Sequence, residues 1–250
     1  MNRVSIEIVA ESVAAAVAAE RGGASRIELC SSLNEGGLTP SAGLIEAARA
    51  AVTFGVYVMI RPRAGDFCYD AHEIDVMERD IALAKRLGAN GIVLGILKPD
   101  ASVDIERTRQ LVDLARPLEV TFHRAFDVTA DLPRALDDVC ATGADRLLTS
   151  GGEKTAWEGR GMIARLVTQA QGRIAIMAGS GVKPENASAL VAETGVREIH
   201  ASLRTSIQSP MLFRKRLSVG TDKSGSADGP EYQRFAVLEE DVRKLCHAVE

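Results

Sequence analysis

The stretch Gly23-Ala24-Ser25-Arg26-Ile27-Glu28-Leu29 returns in altered form three more times along the chain. Gly-Ala-Asn-Gly-Ile-Val-Leu occupies 88–94, Gly-Ala-Asp-Arg-Leu-Leu-Thr 143–149 and Gly-Val-Arg-Glu-Ile-His 195–200. In each copy a glycine follows a helical pattern, and a short apolar run begins two or three residues later. Glycine suits the left-handed position that stops a helix, and the brief turn feeds the next strand. Further strand-like runs lie between these copies at 4–9, 56–61, 119–123 and 174–178, which brings the strands to eight.

Helical patterns alternate with the strands. Over 72–87, Ile74, Met77, Ile81, Ala84 and Leu87 recur at spacings of three or four, and over 131–142 Leu132, Ala135, Leu136 and Val139 share one face. Helices are also expected near 12–21, 40–51, 104–115, 157–171, 184–194 and 236–249. Strict alternation with eight strands predicts an α/β fold of the (β/α)8 TIM-barrel type, one domain over 1–250. An open doubly wound sheet is the competing arrangement, but no Gly-x-Gly-x-x-Gly follows the first strand. Residues 219–230, rich in Gly, Ser, Asp and Lys, read as a flexible surface loop before the last helix.

Composition narrows the function. The 250 residues are 46% hydrophobic and 26% charged, ordinary for a soluble globular protein. Thirty Lys and Arg against 34 Asp and Glu leave a net charge of −4, without the basic excess of a nucleic-acid binder. No apolar run approaches the ~20 residues of a membrane span. Glu7 interrupts the only N-terminal apolar run, so a signal peptide is not expected. Cys30, Cys68, Cys140 and Cys246 show no Cys-x-x-Cys spacing and read as free thiols of a cytoplasmic protein. Cys140 and Cys246 fall in helices and read as core or surface thiols, and Trp157 as a packing residue.

Strand side chains alternate between faces, so phase separates barrel interior from helix-facing shell. With Val4, Ile6 and Ile8 outward, Ser5, Glu7 and Val9 point in. With Ile27 and Leu29 outward, Glu28 and Cys30 point in. The same rule turns Tyr57, Met59 and Arg61 inward on the third strand, and Thr121 and His123 on the fifth. Four strands thus aim Glu7, Glu28, Arg61 and His123 at one enclosed space. Buried charges need partners, so the plain alternative is a filling ion-pair network of Glu7, Glu28 and Arg61.

Val120-Thr121-Phe122-His123-Arg124-Ala125-Phe126-Asp127 places a histidine, an arginine and an aspartate where a strand breaks into a loop. The C-terminal ends of barrel strands are where such folds carry chemistry. His123 with Glu7 or Glu28 is therefore the candidate acid–base set, and Asp127 a further catalytic candidate. Arg61-Pro62-Arg63 forms a stiffened cationic loop suited to a carboxylate or phosphate. Thr149-Ser150 after the sixth strand, Gly179-Ser180-Gly181 after the seventh and Ser202 after the eighth complete an expected anion pocket. No lysine sits within a strand, which removes a Schiff-base nucleophile, and no His-x-His marks a hydrolase metal site.

Several of these motifs together resemble the CutC family. They are Glu28-Leu29-Cys30, Glu35-Gly36-Gly37-Leu38-Thr39-Pro40, Ile60-Arg61-Pro62-Arg63, Gly65-Asp66-Phe67, the His123 segment and Leu148-Thr149-Ser150-Gly151. The match runs in order from the first strand to Met211 and Arg214. The resemblance implies a cytosolic TIM barrel, usually a homodimer or larger homo-oligomer, linked by name to copper homeostasis. It also implies Cu(I) as a possible ligand, held by one thiolate from the end of strand one and one from the end of strand two. Cys30 fits the second position, whereas Val9 stands at the first. A soft d10 ion wants at least two soft ligands. Cys68, in the loop after strand three, is the replacement candidate, with Met59 and His123 weaker ones.

Overall fold

Eight parallel strands hydrogen-bond in chain order, and the last returns to the first. They are β1 (Ser5–Ala10), β2 (Arg26–Leu29), β3 (Gly55–Met59), β4 (Gly91–Leu94), β5 (Glu119–Phe122), β6 (Arg146–Thr149), β7 (Ala175–Gly179) and β8 (Glu198–Ala201). The helices between them are α1 (Val13–Arg21), α2 (Ala42–Ala51), α3 (Ala71–Arg86), α4 (Ile105–Ala115), α5 (Leu132–Thr142), α6 (Arg160–Ala170) and α7 (Pro184–Thr194). A final helix, α8 (Glu239–His247), packs between α7 and α1. This computed structural model describes residues 4–215 and 232–250, so the loop expected at 219–230 lies outside the described residues. The (β/α)8 barrel read from the repeats is the fold.

Local chemistry explains the boundaries. Side chains of Ser12, Ser41, Asp70, Asp104 and Asp131 each accept a backbone N–H in the first turn of α1 to α5, which starts those helices. The four repeat glycines, Gly23, Gly88, Gly143 and Gly195, all have φ between 72 and 94°. That left-handed backbone is costly for any residue with a Cβ, so glycine ends each helix and turns the chain into the next strand.

Strand alternation then sorts the core into two parts. Ile6, Ile8, Ile27, Leu29, Val56, Val58, Ile92, Leu94, Val120 and Phe122 face the helices in a continuous buried shell. Inside the barrel a separate small cluster holds Val9, Cys30, Tyr57, Met59 and Val93. Everything else pointing inward from β1, β2, β5, β6 and β8 is polar or charged, apart from Leu148.

One element departs from the sequence reading. After β8 the chain forms β9 (Arg204–Ile207), paired antiparallel with β10 (Arg234–Val237), before α8. Leu203, Arg204 and Thr205 of this excursion, with Asp241 and Lys244 of α8, wall one side of the barrel mouth. Among the described residues no helix is long and apolar enough to cross a membrane.

Candidate active site

The barrel interior begins with a charged floor at the N-terminal strand ends. Register sets Arg26 beside Glu7, Glu198 beside Ser5 and Arg146 beside Thr121. Arg26 donates from Nε to Glu7 Oε2 at 2.6 Å and from Nη2 to Glu198 Oε2 at 2.5 Å. Arg146 donates to the same Glu198 oxygen at 2.5 Å and to Glu119 at 3.1 Å, and the Tyr57 hydroxyl donates to Glu119 at 2.6 Å. The Tyr57 ring lies 5.2 and 5.4 Å from the two guanidinium carbons. Carboxylates alternate with guanidiniums, which is how buried charges are kept tolerable. The alternative, a filling network of Glu7, Glu28 and Arg61, does not form; the cation that neutralises Glu7 is Arg26, one strand position below Ile27.

Above the floor the chain of contacts turns into a proton-bearing cluster. Glu7 Oε1 lies 2.8 Å from His200 Nδ1, and His200 Nε2 lies 3.9 Å from Glu28 Oε2. Burial alone would raise the Glu7 pKa, but the hydrogen bond with His200 and the charge of Arg26 overcome it and bring it to about 2. Glu28 has no such guanidinium against it. Burial, reinforced by Glu7 and opposed by His200, lifts it to about 7. His200 is pushed down by burial but raised overall by the two carboxylates. The second oxygen of Glu28, Oε1, is buried without a hydrogen-bond partner. A carboxyl group that is half-ionised near neutrality and lacks a partner stands ready to exchange a proton.

His123 is the second incompletely bonded group. Its Nδ1 accepts the amide N–H of Ala125 at 3.2 Å, so in the neutral ring the proton sits on Nε2. Nε2 is buried without a partner. Burial and the neighbouring Arg61 charge drop the pKa to about 3, which keeps the imidazole neutral through the physiological range. The ring rests 5.1 Å from Phe67, centroid to centroid. It also sits against Gly95, where any Cβ would lie 2.6 Å from Cε1 and Nδ1. The bare Gly95 backbone just past β4 is what lets the ring lie there, with Phe67 beside it.

Glu28, His123 and His200 open on one cavity of about 680 Å3 at the C-terminal mouth. Val9, Met59, Leu148 and Phe67 give it apolar walls. Ser180, Gly181, Ser202, Arg124, Lys183, Glu185, Arg204, Asp241 and Lys244 line its outer part, with Arg124 paired to Asp127 and Lys244 to Glu240 and Asp241. Among the sequence candidates, Ser180, Gly181, Ser202, Arg61, His123 and Glu28 meet here. Glu7 lies one layer below, in contact with the cavity only through His200.

Other candidates are placed elsewhere. Arg61 borders the cavity, but its guanidinium donates to the carbonyls of Glu35, Gly37 and Gly65 and ties two mouth loops together. Arg63 points away to Glu73 at 2.5 Å and Asp66 at 3.0 Å, so the two arginines do not clamp one anion. Asp127 accepts from the Thr149 hydroxyl and from the amides of Ser150 and Gly152, and it pairs with Arg124. Thr149 and Ser150 are fully buried in that knot, behind the cavity wall. Gly179 packs under His200, 3.2 Å separating a notional Cβ from the His200 Cβ. Cys30 belongs to the inner apolar cluster and Cys68 to the outer shell; neither lines the cavity.

The residues that sequence reasoning missed are Arg26, Arg146, Glu198 and His200, and at the cavity rim Lys183 and Arg204. The signal was present. With Ile199 outward, the phase rule puts Glu198 and His200 inside, and with Leu147 outward it puts Arg146 inside.

Glu7, Glu28 and His200 are also the only group of three or more His, Cys, Asp or Glu among the described residues whose donor atoms fall within 4.8 Å of one another. Both Glu7 oxygens are already committed, one to Arg26 and one to His200. A divalent ion there would face the Arg26 charge at close range, so the trio does not fit a metal. Its two carboxylates are also hard donors, the wrong chemistry for Cu(I).

Fold and site together define a TIM-barrel protein with a carboxyl–imidazole cluster at its mouth. Within that class the chain belongs to the CutC family, whose model matches residues 4–205. It is 46% identical to a family protein CutC of Chromobacterium violaceum over 98% of both chains. It is 47% identical to the human copper homeostasis protein cutC homolog, over 85% of this chain and 78% of that one. The crystal structure of the copper homeostasis protein CutC of Streptococcus agalactiae superimposes with a TM-score of 0.76 at 37% identity. That match covers 80% of this chain and 98% of the other.

Proposed function

We propose that the barrel mouth is an acid–base active site for a small anionic metabolite. Any share this chain has in the copper homeostasis for which its human relative is named would then run through that site. The observation that carries this reading is Glu28: buried, opening on the cavity, with one oxygen unpartnered and a pKa raised to about 7 by burial. Structural carboxylates are paired off, as Glu7 and Glu198 are, whereas this one is left able to gain and lose a proton. His200 lies 3.9 Å from it and biases its charge, and His123 supplies a neutral donor. The anion is met by Lys183 and Arg204 with the Ser180–Gly181 turn ahead of α7, whose N-terminal end favours negative charge. Location in the cytoplasm and assembly into a homo-oligomer belong to the same proposal, from likeness to the family.

The test follows inorganic phosphate and a panel of phosphorylated and carboxylated metabolites by NMR. Shifts are expected at Ser180, Gly181, Ser202 and His123, with turnover of a bound member abolished in Glu28→Gln. Binding confined to other surfaces would sink the reading.

One observation favours a second reading, a Cu(I) site. A Cβ at Gly37 would sit 3.4 Å from the Met59 methyl and 3.6 Å from Cys30 Sγ, so two sulfur-bearing side chains of one apolar cluster pack under that loop. Against it, burial raises the Cys30 thiol far above its ordinary value, which makes the thiolate expensive. Cu(I) competition titration of wild type, Cys30→Ala and Cys68→Ala decides it. The acid–base reading predicts equal affinities, and a marked loss in Cys30→Ala alone would favour copper.

A further inference from the structure

We infer that the mouth breaks a C–H bond next to a carbonyl group, with Glu28 taking the proton and the His123 Nε2–H donating to the carbonyl oxygen. The inference rests on the acid–base reading and names its reaction and substrate class.

The two buried groups left without partners are complementary. His123 Nε2 carries a proton it gives to nobody, because Nδ1 is occupied as an acceptor by the Ala125 amide. Glu28 Oε1 is an acceptor that receives nothing. Unpaired buried polar atoms of this kind call for a ligand that supplies the missing partners. The ligand must present an acceptor to the imidazole and an acidic hydrogen to the carboxylate. A hydroxy-carbonyl compound has both, and Lys183 with the Ser180–Gly181 turn can receive a phosphate or carboxylate tail.

The kind of donor narrows the reaction. A neutral imidazole held by Gly95 and Phe67 is a weak acid that does not give its proton away. It is suited to an oxygen that gains negative charge only as the reaction proceeds, which is the position of an enolate oxygen. The apolar walls of Val9, Met59, Leu148 and Phe67 keep water from the carbanionic carbon.

The step balances without any further reagent. The carbon–hydrogen bond breaks, its electron pair forms the carbon–carbon double bond, and the carbonyl π pair moves to the oxygen. The proton forms an O–H bond on Glu28. Return of that proton to the same carbon restores the substrate, with deuterium wherever the Glu28 proton has exchanged with solvent; its return to the former carbonyl carbon, while the neighbouring hydroxyl loses its proton and the enolate oxygen gains one, gives the isomer, and either course restores the carboxylate. His200, bridging Glu7 and Glu28, is a positioning residue here: its proton sets the charge state of Glu28 between the two transfers.

The experiment is deuterium exchange in D2O followed by proton NMR. The intact protein is incubated with dihydroxyacetone phosphate, ribulose 5-phosphate, glucuronate and pyruvate. Loss of the signal from the hydrogen next to the carbonyl is expected for at least one compound. Glu28→Gln should slow that exchange by about 100-fold or more. His123→Ala should slow it by roughly 100-fold, with partial recovery in His123→Gln, whose amide N–H can stand near Nε2. Thermal unfolding of each variant confirms that it is folded.

Exchange as fast in Glu28→Gln as in wild type overturns the inference, and so does absence of exchange with all four compounds. Conversion of a compound without deuterium at the α-carbon overturns it too, yet leaves the acid–base reading standing. Shifts from all four ligands that avoid the mouth would remove both.

Discussion

The floor and the mouth of this barrel are built from the same side chains and treat them in opposite ways. At the floor, Glu119, Arg146, Glu198, Arg26 and Glu7 form an unbroken series of ion pairs between 2.5 and 3.1 Å. At the mouth, Glu28 Oε1, His123 Nε2 and Arg61 Nε are buried and unpartnered. Low dielectric makes unsatisfied groups costly in both places. A fold able to pair its charges at one end and not at the other, some 10 Å of strand apart, has a use for the unpaired ones. Burial of charge alone therefore says little about function; what matters is whether the charge is finished.

Breaking the floor should have the largest effect. Arg26→Met leaves Glu7 without its cation and Glu198 with one guanidinium instead of two. Chemical denaturation should show a loss of about 3–5 kcal/mol. A loss under about 1 kcal/mol would mean that the floor is not held by its charges.

The knot behind the mouth comes next. Asp127→Ala removes the acceptor for the Thr149 hydroxyl and the Ser150 and Gly152 amides. Stability should fall by about 2–3 kcal/mol, because buried donors lose a charged acceptor. An unchanged unfolding midpoint with lost turnover would instead make Asp127 a catalytic group.

Glu28→Gln sharpens the contrast, since it should stabilise. The Glu28 pKa rises from an ordinary 4.5 to about 7 in the folded protein. Its contribution is full below 4.5, where it is protonated folded or unfolded, and is lost as pH rises through about 7. The glutamine lacks that loss. The variant should gain on the order of 1–3 kcal/mol over wild type at pH 8, shrinking toward zero as pH falls to 4.5. A destabilised variant at pH 8 would place Glu28 among the finished charges.

The smallest effect belongs to Arg63→Ala. Its ion pairs with Glu73 and Asp66 are partly exposed, and urea denaturation should register about 1 kcal/mol or less. Loss of phosphate binding in this variant would restore Arg63 as an anion ligand.

Much of this was legible in residue order. The four Gly-initiated repeats carried the barrel, because a left-handed glycine and a short apolar strand are both local signals. Phase placed Glu7, Glu28, Cys30 and His123 inside correctly. Carried on to β6 and β8, it also reaches Arg146, Glu198 and His200. Arg26 was hidden for a different reason: it opens β2, where turn and strand cannot be told apart by pattern. Arg61 and Arg63 look alike in sequence, yet one meets backbone carbonyls and the other carboxylates, a distinction made only by tertiary folding. The β9–β10 pair was invisible, since Arg-Thr-Ser-Ile has no apolar alternation and its partner lies far along the chain.

The contrast between finished and unfinished charge is tested most directly by carboxyl carbon NMR of Glu7 and Glu28 across pH. Glu28 should titrate near 7, with the His200 ring titrating above its ordinary range, while Glu7 stays ionised down to about 2. Both carboxyls titrating together near 4.5 would contradict the account, and the mouth would then be no more poised for proton transfer than the floor.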